Sequence, residues 1–95
     1  MADLHALIPD ASAAWREIPA LADVEADRLA ACVLHPREPW WRRRCCAKAL
    51  DGRVPTDSVD ALEALVHDET LESELRGAVL LALASRPRDA RRDRL

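Results

Sequence analysis

The stretch DALEALVHDETLESELRGAVLLALASR, residues 60–86, decides the fold class of this chain. Its first part, within 57–67, follows Pro55 and Thr56 and carries leucines at helical spacing. Its second part, 71–85, is expected to start at a Thr70 cap and to stop before Pro87. Glu72 and Glu74 then fall in a first turn, where carboxylates suit the helix dipole. The short link between the two parts makes an antiparallel hairpin the expected packing. From Gly77 to Ala84 the second helix, GAVLLALA, is apolar all round, and such a helix wants cover on every side.

Sliding the chain against itself by 33 residues lays the same pattern over an earlier segment. Asp27 falls on Asp60, Leu29 on Leu62, Ala31 on Ala64 and Val33 on Val66. In the second helix Arg43 falls on Arg76, Ala49 on Ala82, Leu50 on Leu83 and Arg53 on Arg86. A fixed period of this size in a helical chain signals stacked helical hairpins. Outward from these pairs, helices are expected at 10–18, from Asp10, and at 23–35, from Asp23. A further helix at 39–50 should take Pro39 as its first residue and Gly52 as its C-cap.

Composition agrees with an all-α fold. Hydrophobic residues are 49% of the 95, Phe and Tyr are absent, and there are two glycines. No stretch alternates with period 2 as a strand would. The expected architecture is a short α-solenoid of antiparallel helical hairpins with about five helices. Residues 1–22 would form an N-terminal capping segment, 23–54 and 55–86 the two repeats, and 87–95 an Arg-rich tail or the start of a third. DRL at 27–29, DAL at 60–62 and DRL at 93–95 keep the period to the last residue.

The hairpin at 60–86 resembles the HEAT-repeat superfamily, including the bacterial HEAT-like repeats of phycobilisome-lyase type. Asp68 stands as the turn aspartate, Leu75-Arg76 as the aliphatic-Arg pair, and Ala78, Ala82 and Leu83 as packing positions. The resemblance covers about 23–86. The first repeat departs from it, with His35 in place of the aspartate and Arg42 in place of Leu75. Such repeats mostly make protein-binding scaffolds, and a few resemble DNA-repair glycosylases or cofactor-attachment enzymes. The resemblance therefore implies a non-catalytic interaction module of a bacterial cytoplasm.

The densest chemistry lies in PWWRRRCCAKAL, 39–50. Trp41, Cys45, Cys46, Ala49 and Leu50 share one helical face, which reads as core, with cysteine acting as a small hydrophobe. A zinc reading of Cys32, His35, Cys45 and Cys46 lacks a second ligand pair at standard spacing. A redox role would require an exposed sulfur with a lowered thiolate pKa. No metal or cofactor is expected. Trp40 lies off the core face beside Arg44. It is either an exposed interface anchor or is covered by the N-terminal segment through Trp15.

Arg37, Arg42, Arg43, Arg44, Lys48 and Arg53 form a basic cluster in a chain of net charge −3. Its repeat-two counterparts keep only Arg76, so a nucleic-acid stripe is not continued. Nucleic-acid binding or an enzyme-accessory role through 37–53 stands as the alternative function. The candidate partner-binding residues are Trp40, Arg43, Arg44, Lys48 and Arg76. Leu80 and Leu81 form a candidate docking flank for further repeats of the chain, another protein or a second copy. No catalytic constellation is visible, no apolar stretch reaches the ~20 residues of a membrane span, and the start MADLHALIPD lacks a basic signal region. The odd count of three cysteines points to a reducing compartment.

Overall fold

The computed structural model of the chain describes residues 3–85, which contain helices and loops and no strand. Six α-helices follow in order: α1 (Leu4–Leu7), α2 (Ala11–Ala14), α3 (Ala26–Leu34), α4 (Trp40–Ala49), α5 (Val59–Val66) and α6 (Ser73–Ala84). Two 3-10 turns, Pro19–Asp23 and Thr56–Ser58, join them. The expected tail or third repeat at 87–95 lies outside the described residues.

The N-terminal segment differs most from expectation. Asp10 caps α2 as anticipated, accepting from the Ala13 N–H at 2.8 Å. The helix then ends after Ala14 instead of running to Ile18. Ile18 precedes Pro19, whose ring disfavours a helical conformation in the residue before it, and Ile18 is extended at φ −122° and ψ 91°. A further short helix, α1, precedes it, capped by Asp3. The all-α class holds, with six short helices where about five were expected.

Three other caps shift. Asp23 closes a 3-10 turn and starts no helix, because Val24 behind it is drawn extended into the core at 2% exposure. Pro39 sits one position earlier than expected, as the N-cap of α4. Thr70 does not cap α6. Asp68 instead accepts from both Thr70 N (3.0 Å) and Thr70 Oγ1 (2.6 Å), closing a tight turn before the helix. Gly52 behaves as expected, with φ +80° just beyond α4, a conformation that a Cβ would strain.

Helix α3 packs on α4 and α5 on α6, giving two hairpins. Across the hairpins, α4 packs on α6 and α3 on α5, while α2 covers the opposite flank of α4. Helices α4 and α6 run side by side in the same direction. Arg44 meets Glu74 near their starts at 3.4 Å, and Gly52 N donates to Ser85 Oγ beyond their ends at 2.9 Å. The core between the layers is aliphatic, with Ile8, Leu29, Leu50, Leu62, Leu75, Val33 and Val79 fully buried. Cys45 and Cys46 are buried within it, and their small side chains permit close helix approach.

Candidate protein-interaction face

Among the described residues only Gly52 takes a positive φ, so most of their helix ends lack a glycine C-cap, and arginines satisfy several of the carbonyls left over. Arg42 donates through Nε and Nη2 to the Ile8 carbonyl beyond α1, at 3.0 and 2.8 Å, and through Nη1 to Glu38 at 2.8 Å. Arg43 donates through Nε to the Val33 carbonyl in the last turn of α3, at 2.8 Å. Arg53 donates to Ala49, Val24 and Leu21 carbonyls at 3.1, 2.9 and 2.8 Å. A cation near a helix C-terminus also suits the dipole. Three members of the sequence's basic cluster are thus turned onto the backbone.

The candidate contact residues separate accordingly. Arg43 belongs to the interior, at 5% exposure, and is no surface contact. Arg76, 33 residues on, is partly buried, and its Nε is enclosed with no hydrogen-bond partner. Trp40 is partly buried under Trp15, with ring centroids 6.4 Å apart and an edge-to-face angle of 75°. Arg44 stacks over the Trp15 ring at 4.1 Å while pairing with Glu74. Lys48 is exposed, as is Asp51 one turn on. Leu80 and Leu81 are exposed at 54% and 71%.

The exposed aromatic is therefore Trp15, at 54%, and not Trp40. Sequence reading noted Trp15 only as a possible cover. Nothing in its neighbours shows that it stays half open, because that depends on how α2 lies across α4.

Two grooves run along α4. One, about 690 Å³, separates the N-terminal segment from α4; Ala14, Leu21, Cys45 and Ala49 line it, with Trp15 at its edge. The other, about 440 Å³, separates α4 from α6; Ala47, Ala78, Leu81 and Ala84 line it. Lys48 and Asp51 border both, so one continuous face passes from Trp15 across α4 to Leu81.

The remaining chemistry is quiet. Burial pushes the Cys45 thiol up, and a hydrogen bond with Cys32 together with burial pushes Cys46 up. Among the described residues no group of His, Cys, Asp and Glu is placed to hold a metal ion. Nor is any described helix long and apolar enough to cross a membrane. Hydrogen bonds from Thr70, with Arg76 and Arg43 nearby, hold the Asp68 carboxyl below its usual range. Burial works to raise the Glu38 carboxyl, but hydrogen bonds from His5 and Arg42 outweigh it and hold the group low. Comparison with protein-family models, with curated proteins and with solved structures gave no match.

Proposed function

We propose that this chain is a non-catalytic protein–protein interaction or scaffold module of the cytoplasm, built from two stacked HEAT-like hairpins behind an N-terminal cap. The stacking reading rests on the pairing of like with like, α3 with α5 and α4 with α6, at the period seen in the sequence. Its binding surface is the outer face of the second helices, α4 and α6, with the α2 corner.

The observation that carries the reading is the exposure of Leu81, Leu80 and Trp15 at 71, 54 and 54% along the continuous face bordered by Lys48 and Asp51. Large apolar groups rimmed by charges are what a partner protein desolvates on docking. Trp15 stacked beneath a guanidinium is the type of anchor that dominates such interfaces. Of the candidate contacts, Trp40 acts by supporting Trp15, Lys48 is exposed, and Arg44, with 14% of its side chain exposed, holds the Trp15 ring. The nucleic-acid alternative is weakened because Arg42, Arg43 and Arg53 spend their donors on carbonyls.

Panning a display library of amphipathic peptides against the whole chain tests the proposal. Selected peptides should bind the native protein and lose most of their affinity to Trp15→Ala and Leu81→Glu. Peptides indifferent to both changes would move the site elsewhere. Mixed-sequence duplex DNA titrated at low salt should show no binding, and tight, salt-sensitive binding would favour the alternative instead.

A further inference from the structure

Helix α6 carries a glycine in its middle that the protomer does not need. A Cβ built on Gly77 meets nothing within 4 Å. Glycine inside a helix costs stability relative to alanine. On the helix surface Gly77, Leu81 and Ala84 share one exposed face, with Leu80 at its edge. The helix thus offers a small–large–small profile outward, suited to a second helix coming close.

We infer that the first partner of this face is a second copy of the chain, docked about a two-fold axis that sets α6 antiparallel to its mate. This rests on the interaction-face reading above and names its occupant. An axis passing between Leu80 and Leu81 places Gly77 opposite Ala84 of the second copy and Leu80 opposite Leu81. Each glycine then makes room at the level of an alanine, and the leucines meet at the centre. The pattern is self-complementary, as an isologous contact requires.

The neighbouring helix supplies charge complementarity in the same register. Because α4 runs parallel to α6, held by the Arg44–Glu74 and Gly52–Ser85 contacts, the same axis passes close to Lys48. Lys48 then falls within about one helical turn of Asp51 of the second copy, within reach of a long side chain. Lys48 and Asp51 are both exposed in the single chain. Opposite charges thus meet on either side of the leucine contact, and they disfavour a parallel arrangement that would set like against like.

Sedimentation velocity of the whole chain over a concentration series tests this. The wild type should pass from monomer to dimer and no further, since a two-fold contact closes. Leu81→Glu should remain monomeric with unchanged far-UV circular dichroism, because Leu81 is 71% exposed and supports little of its own fold. Lys48→Glu and Asp51→Lys should each raise the dimer dissociation constant about tenfold, and the double variant should return most of that loss. Three outcomes overturn the inference: a monomer at every concentration, assembly beyond dimers, or a dimer that Leu81→Glu leaves intact. A monomer that still binds the panned peptides through Leu81 would sink self-association while sparing the interaction face.

Discussion

Arginine does unusual duty in this chain, and single substitutions separate its two uses. Arg43 lies in the interior with Nε on the Val33 carbonyl, and burial lowers its basicity. Arg43→Ala removes a charged hydrogen bond and leaves that carbonyl without its donor, so it should cost about 2–3 kcal/mol in urea unfolding. Arg44, one residue on, pairs at 3.4 Å with a Glu74 that is half exposed and stacks on an open tryptophan ring. Arg44→Ala should stay within about 1 kcal/mol. Equal losses for the two would mean that the carbonyl bond contributes nothing special. Titration adds a second test at this scale. Glu38 and Asp68 both have carboxyls held below their ordinary values of 4.5 and 3.8. The folded state therefore binds fewer protons than the unfolded one in acid. Their contribution is complete above those values and is lost as pH falls through the lowered ones. Thermal midpoints should decline on acidification from about pH 5 downward. Glu38→Gln should flatten the upper part of that decline, and a variant curve parallel to the wild type would contradict the assignment.

The elements show why helix boundaries were harder to read than helix existence. Each expected helix has a counterpart, but α2 already ends at Ala14, and Asp23 loses its capping role to the burial of Val24. The two glycines sit at opposite ends of a stability scale. Gly52, at φ +80°, ends α4, and Gly52→Ala should cost about 1–2 kcal/mol. Gly77 has open space around it inside α6, and Gly77→Ala should stabilise the protomer by roughly 0.5–1 kcal/mol. Chemical denaturation of the two variants, run at low protein concentration, checks both signs. The gain at Gly77 should come with weaker self-association if the proposed contact between α6 helices is correct.

At the scale of the molecule, two aliphatic hairpins share one core without phenylalanine or tyrosine, and the sulfurs belong to that core. Cys32, Cys45 and Cys46 are 7, 6 and 0% exposed and carry no disulfide. Burial keeps Cys45 poorly ionised, and the hydrogen bond with Cys32 together with burial does the same for Cys46. Alkylation of the native protein should therefore be slow at Cys45 and Cys46 and should accelerate only with opening of the fold. Fast modification of Cys45 in native buffer would show that the groove beside it gives reagent access. The outer face has the opposite character. Its apolar residues Leu80 and Leu81 are open among the described residues, which makes that face the ground for both functional proposals.

Much of this was legible in the residues themselves. Apolar periodicity, proline punctuation and scarcity of β-formers determined an all-α chain. Those features are local or periodic, so a linear reading can capture them. Side-chain direction is neither. From spacing alone the run Arg42-Arg43-Arg44 looks like one basic patch, yet its members reach the Ile8 carbonyl, the Val33 carbonyl and the Trp15 ring. Which of two neighbouring tryptophans stays open, and which arginine remains for a partner, was decided only by how α2, α4 and α6 lie against one another. Burial and carbonyl satisfaction depend on segments distant in sequence, and only the assembled fold brings those segments together.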